Sequence, residues 1–137
     1  MKAGDMTDGI FLVHIVDALQ ETIDFTRDQS LEAFLGSTLL IRAVTSSFEI
    51  AGEATKNLTK EFRDVHPEVG WRDMAGFRDV LIHGYFGIDE TQLWKGAKEF
   101  APDAIAKIKA MVAASEGVQP LAMTFTIDFL IGTSHWL

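Results

Sequence analysis

Ile41, Val44, Phe48, Ala51, Thr55 and Leu58 recur at alternating spacings of three and four residues. That rhythm puts one apolar stripe along an α-helix, a seam shaped to pack against another helix. Arg42, Ser46, Glu49 and Glu53 follow a similar rhythm on its flank and form a polar stripe. An isolated helix of this length is marginal in water, so the stripe has to be covered by other helices. A helical bundle is the fold this segment demands.

The rest of the chain up to residue 116 supplies partners. Thr7 or Asp8 is placed to cap a first helix whose stripe is Leu12, Ile15, Val16, Leu19 and Ile23. Ser30 caps a short turn over Leu31–Leu35, Gly36 ends it, and Ser37 or Thr38 opens the seam helix. Thr59 caps a single turn, and His66-Pro67-Glu68-Val69-Gly70 reads as a loop. A further helix is expected from about Asp73 to Gly84, burying Phe77 and Leu81. Asp89-Glu90-Thr91-Gln92 has capping-box spacing for a helix through Phe100. Pro102 suits the first turn of a last helix in which Ile105, Ile108 and Val112 face inward, ended by Gly117. The expected organisation is one bundle over residues 1–116 and an apolar tail over 117–137.

The tail differs in kind. Leu121, Met123, Phe125, Ile127 and Phe129 alternate with Ala122, Thr124, Thr126 and Asp128, a strand period. A lone strand beside a bundle would pair with a second copy or lie on the surface. An apolar extension without a role is the other reading. The tail is too polar for a convincing membrane span, and Met1–Gly9 has no apolar core of the signal-peptide kind. The expectation is a cytoplasmic protein that makes no use of a membrane.

Twelve Lys and Arg against 20 Asp and Glu give a net charge of −8, which excludes coating nucleic acid by bulk charge. The absence of Cys removes a thiol nucleophile and every Cys-based metal site. His14, His66, His83 and His135 have no neighbour at a metal-ligand spacing, so no metal and no cofactor are expected. His14 sits among apolar residues and reads as packed or half-exposed.

Arg78-Asp79-Val80-Leu81-Ile82-His83-Gly84-Tyr85 stands apart, with chemically capable side chains in an apolar helix about to end. On an ideal helix Arg78 and Tyr85 lie about 20° apart, whereas His83 lies roughly 140° from Arg78. One straight helix does not assemble Arg78 with His83; a distorted end or a symmetric partner is required. Alternatively, Arg78 pairs with Glu49 or Glu53 on the seam helix while His83 and Tyr85 finish their own helix.

Three stretches in order, Phe48-Glu49-Ile50-Ala51-Gly52-Glu53-Ala54, His66 through Arg78, and His83-Gly84-Tyr85-Phe86-Gly87-Ile88-Asp89, closely resemble the HepT-like family of HEPN-domain proteins. The resemblance covers about residues 8–115. Proteins of that family are ribonuclease toxins encoded beside a minimal nucleotidyltransferase (MNT) antitoxin. The family's R-x-x-x-x-H-x-Y signature falls on Arg78, His83 and Tyr85. Many relatives have Asn after the Arg, where this chain has Asp79.

The resemblance implies an antiparallel, up-and-down all-α bundle that forms a homodimer, with both signatures lining one cleft. It implies RNA cleavage without a metal, the RNA 2′-OH being the nucleophile. Histidine, with an ordinary pKa of about 6.5, suits proton exchange by His83, and Arg78 suits a bidentate phosphate contact. Arg72, Asp79, Glu49 and Glu53 become supporting or RNA-contacting residues, with Arg72 placed to converge across the dimer. Tyr85 becomes the residue adenylylated by the MNT partner, which silences the toxin. The contrasting implication is a non-catalytic, substrate-binding partner of a nucleotidyltransferase.

Overall fold

The computed structural model describes residues 3–82 and 90–115. Its long elements are helices α1 (Ala3–Thr26), α3 (Thr38–Lys56), α5 (Trp71–Ile82) and α7 (Ala101–Ser115). Shorter helices α2 (Leu31–Leu35), α4 (Lys60–Val65) and α6 (Glu90–Lys95) join them. Among the described residues every regular element is helical. The tail and its strand pattern lie outside the described residues, as do His83, Tyr85 and Asp89.

The expected stripes are the ones that pack. Ile15, Val16 and Leu19 of α1 meet Val44, Phe48 and Ala51 of α3 in one core that also takes in Ile105, Ile108 and Val112 of α7. Leu12, Ile23 and Ile41 are half-buried against that core. The polar flank stays outside, with Arg42, Ser46 and Glu53 exposed and Glu49 half-buried. Buried threonine hydroxyls return to their own helices, Thr22 to the Leu19 carbonyl at 2.7 Å and Thr55 to the Ala51 carbonyl at 2.8 Å. This leaves the core free of unsatisfied hydroxyl groups at those positions.

Two contacts fix α1 and α3 as antiparallel. The Ser47 hydroxyl reaches Glu21 at 3.5 Å, and Thr59, just beyond α3, reaches Asp8 near the start of α1. Helices α3 and α5 are likewise antiparallel, because Phe48 stacks on Phe77 at 4.9 Å while Thr55 contacts the Met74 sulfur at 3.2 Å. Helix α3 is thus the central member, with α1 on one side and α5 on another.

Local capping follows the expected chemistry at three places. The side chains of Ser30, Ser37 and Thr59 accept from the backbone N–H groups of Ala33, Leu40 and Phe62. At the first helix the expectation is corrected. α1 begins at Ala3, and Asp8 lies inside it, 2% exposed. The Asp8 carboxylate accepts from the Thr59 N–H and the Thr59 hydroxyl, each at 2.8 Å, so it anchors the entry of α4 instead of capping its own helix. The loop after α4 contains a 3₁₀ turn over Pro67–Val69, and Gly70 leaves it at φ 80°, a conformation glycine adopts without strain. The Gly70 carbonyl accepts from the Met74 N–H, which starts α5 at Trp71 and not at Asp73.

The last two expected helices run into each other without a break. Gly96–Phe100 is a π-helical stretch that joins α6 to α7, with the Ala101 N–H donating to the Gly96 carbonyl. Pro102 brings no N–H and its ring crowds the carbonyl four residues earlier, and a widened turn relieves both. The bulge frees Lys98 to reach back to α1, where its ammonium donates to the Thr26 carbonyl at 2.5 Å and lies 4.7 Å over the Trp94 ring.

Glu21 on α1 yields a pH prediction. Burial, then repulsion from Asp17, raise its pKa above the ordinary 4.5; the hydrogen bond from Ser47 opposes this, and Asp24 adds a further push upward. A carboxyl with a raised folded-state pKa stabilises the fold below its unfolded pKa and loses that contribution as pH rises through the folded value. Glu21→Gln is therefore expected to raise the Tm at pH 7, with the gain shrinking as pH approaches 4. A gain independent of pH would show that the carboxyl charge is not the cause.

Candidate functional site

Arg78 is positioned by the α3–α5 seam. A Cβ at Gly52 of α3 would sit 2.3 Å from the Arg78 Cβ and 2.9 Å from the Met74 carbonyl oxygen. The two backbones approach this closely only because residue 52 has no side chain. Glycine costs about 1 kcal/mol against alanine inside a helix, so its presence at mid-α3 signals a packing requirement. Sequence spacing draws the seam through Ala51 and Thr55 and passes over Gly52.

Above that contact Arg78 Nε forms an ion pair with Glu53 Oε2 at 2.6 Å, with the Arg78 side chain 23% exposed. Of the two acids offered by the sequence, Glu53 takes the pairing. Guanidinium carries five N–H donors in a planar fork, and Glu53 engages it through Nε. The nearest approach of Asp79 is 3.8 Å from Nη1, beyond hydrogen-bonding distance. Asp79 is instead held by the Lys56 ammonium. The Asp79 carboxylate is therefore offset by a neighbouring cation. The cluster of Glu53, Lys56, Arg78 and Asp79 balances two charges of each sign.

A groove of about 310 Å³ opens beside this cluster between α1 and α3. Glu49, Glu53 and Arg78 share it with Phe11, His14, Ile50 and Asn57. Three of the residues expected at the site thus come together on one surface. Arg72 does not join them: it is exposed in the first turn of α5, six residues before Arg78 or roughly 9 Å along the axis. His83 and Tyr85 lie outside the described residues. His14, set aside in the sequence as a packed or half-exposed residue, is exposed and lines the groove. No spacing rule joins His14 to Arg78, since two different helices carry them to the same place.

A larger hollow of about 580 Å³ lies between α3, α5 and the π-helical stretch. Its floor is Phe48, Met74, Phe77 and Phe100, its rim includes Asp73, Lys95 and Glu99, and Arg78 is not part of its wall. Arg78 lines the smaller groove, where its guanidinium can offer paired donors that the Lys95 ammonium of the larger hollow lacks. Among the described residues no three His, Asp or Glu converge as a metal site, and no helix is long and apolar enough to cross a membrane.

Over the described residues, a bundle of helices with a partly exposed arginine held at its central seam defines a small α-domain. Comparison with known proteins names the family. A family model described as ribonuclease HepT-like matches residues 15–111. A Thermococcus cleftensis protein named "Probable ribonuclease HepT" is 42% identical over 101 residues, covering 74% of this chain and 92% of that protein. "Putative RNase MJ1380" of Methanocaldococcus jannaschii is 40% identical over 92 residues, covering 67% of this chain and 84% of the relative. "Putative RNase TTE0752" of Caldanaerobacter subterraneus is 38% identical over 102 residues, 74% of this chain and 91% of the relative. No solved structure matches the chain significantly. The chain belongs to the HepT-like ribonuclease family.

Proposed function

We propose that this protein is an endoribonuclease toxin in which Arg78 binds the scissile phosphate and His83 transfers the protons. The observation that carries this reading is the Arg78 side chain, anchored through Nε and partly open to solvent. A guanidinium held this way keeps its Nη edge for two oxygens of a phosphate. It would be strongest on the transition state, where negative charge on the phosphoryl oxygens increases.

In the proposed reaction the RNA 2′-oxygen attacks phosphorus and loses its proton, and the bond to the 5′-oxygen breaks as that oxygen gains one. The products are a 2′,3′-cyclic phosphate and a 5′-hydroxyl. His83 accepts the first proton or donates the second, and no step calls on a metal. DNA has no 2′-OH, so selectivity for RNA follows without base recognition.

The protein further pairs with itself, so that two Arg78–His83 signatures line one cleft, and with an MNT-type nucleotidyltransferase antitoxin. That partner places adenylate on Tyr85 and silences cleavage, because the added phosphate brings negative charge to the place RNA phosphate must occupy. The bundle to residue 116 carries these functions and the tail from 117 lies outside them.

Labelled single-stranded RNA tests the reading, with and without chelator. Wild type is expected to leave 5′-hydroxyl ends, His83→Ala to leave none, and Tyr85→Phe to retain cleavage while escaping silencing by the partner with ATP. A non-catalytic binding subunit predicts no cleavage by wild type. Equal cleavage by His83→Ala would remove the role given to that residue.

A further inference from the structure

We propose that the groove beside Arg78 is a nucleobase subsite, in which the exposed His14 ring stacks on a base adjoining the bound phosphate, Phe11 supports that ring edge to face, and Glu49 reads the donor edge of the base. The proposal rests on the ribonuclease reading above and adds a substrate preference that the family assignment does not supply.

The lining of the groove carries the argument. One wall is aromatic: the Phe11 and His14 rings meet edge to face, with centroids 6.1 Å apart. Ile50, 49% exposed, extends that apolar surface from α3. Single-stranded RNA is recognised largely through unstacked bases laid on aromatic side chains, histidine included. The opposite features are polar: the Glu49 and Glu53 carboxylates, the Asn57 amide and the Arg78 guanidinium. Asn57 donates one amide N–H to the Glu53 carbonyl at 2.9 Å, which leaves its other N–H and its side-chain oxygen for a ligand. Glu53 spends one carboxylate oxygen on Arg78. Glu49 is half-buried in the groove and has no hydrogen-bond or ion-pair partner among the described residues.

A carboxylate is an acceptor only, so Glu49 matches a base edge that presents donors. Guanine offers an N–H and an amino group side by side, which one carboxylate can span with two parallel bonds. Adenine and cytosine offer an amino group alone, and uracil presents one N–H between two carbonyl oxygens that a carboxylate repels. The order of preference is therefore guanine first and uracil last. The groove volume of about 310 Å³ is at the small end of ligand pockets, fitting one nucleotide unit and not a duplex. Arg78 at its edge supplies the matching charge for the phosphate that follows the base.

The test uses the full-length protein and a short single-stranded RNA with one cut site, its flanking base varied through G, A, C and U. Wild type is expected to cleave the G version at least tenfold faster than the U version in kcat/KM, in line with the discrimination of good bidentate base contacts. Glu49→Ala and the isosteric Glu49→Gln should each bring that ratio below about threefold. His14→Ala should weaken binding of 2′-O-methyl copies of all four RNAs by about tenfold, since stacking tolerates any base. Equal wild-type rates on the four RNAs overturn the subsite, as does a G to U ratio unchanged in both Glu49 variants. Those outcomes leave the ribonuclease reading standing. Absence of both cleavage and binding by wild type removes that reading, and the subsite with it.

Discussion

Arg78→Ala is expected to lower RNA cleavage by 10²- to 10³-fold and leave the fold in place. The two halves of that statement have different physical grounds. Removing a charge-bearing donor from a developing oxyanion costs about 3–4 kcal/mol of transition-state stabilisation. The ion pair lost with it is partly solvent-screened, since the Glu53 side chain is 54% exposed. Pairs of that kind contribute roughly 0–1 kcal/mol to stability, so the Tm should fall by a few degrees at most. Arg78→Lys separates charge from geometry. The ammonium keeps the charge but cannot hold Glu53 and a phosphate through two edges of one plane, so it should recover only a small part of the rate. Rates are read on a single-site RNA under single-turnover conditions, with thermal melts alongside. Full activity in Arg78→Lys would mean that the site needs positive charge there and not the guanidinium fork.

The net charge of −8 bears on how RNA reaches such a site. Long-range attraction is absent, so binding has to come from short-range contacts that desolvate on approach. Arg78 paired with Glu53, and Asp79 paired with Lys56, balance one another, while Glu49 in the same groove adds a negative charge. This arrangement predicts weak salt dependence of binding compared with proteins that coat nucleic acid, because few counterions are released.

What the sequence made readable was whatever depends on neighbours in the chain. The stripes of α1 and α3 and the caps at Ser30, Ser37 and Thr59 follow from helical spacing and from one side chain reaching two or three residues ahead. Asp8 misled because it has the chemistry of a cap, yet its partner Thr59 is 51 residues away. Pro102 was rightly placed in the first turn of α7, but a proline also allows a helix to continue through a widened turn, and packing of Gly96 on the Phe48 ring favours that choice. The pairing of Arg78 was narrowed to Glu49 or Glu53, four residues apart on the same face, and only the register of α5 on α3 distinguishes them. The groove with His14 was not legible at all, since it exists where α1 meets α3.

Gly52→Ala is expected to destabilise the protein, against the direction that helix propensity alone gives. Alanine in mid-helix gains about 1 kcal/mol over glycine from the backbone. Against that, the new methyl group would stand 2.3 Å from the Arg78 Cβ and 2.9 Å from the Met74 carbonyl, both far inside van der Waals contact. Neither neighbour can swing aside. A Cβ moves only with its backbone, and the Met74 carbonyl belongs to α5 itself. Helix α5 must therefore shift away from α3, loosening the contacts of Phe48 with Phe77 and of Thr55 with Met74. Overpacking of this kind costs typically 1–3 kcal/mol, so the net loss after the propensity gain should be up to about 2 kcal/mol, read as a lower urea midpoint at constant slope. Because the shift carries Arg78 away from Glu53, cleavage should fall by at least tenfold even at temperatures where the variant is folded. Gly76→Ala is the control: Gly76 is exposed on α5 with no atom within 4 Å of its would-be Cβ, and the variant should gain stability. A Gly52→Ala protein as stable and as active as wild type would show that α3 and α5 do not approach at residue 52, and the placement of Arg78 argued from that contact would fall.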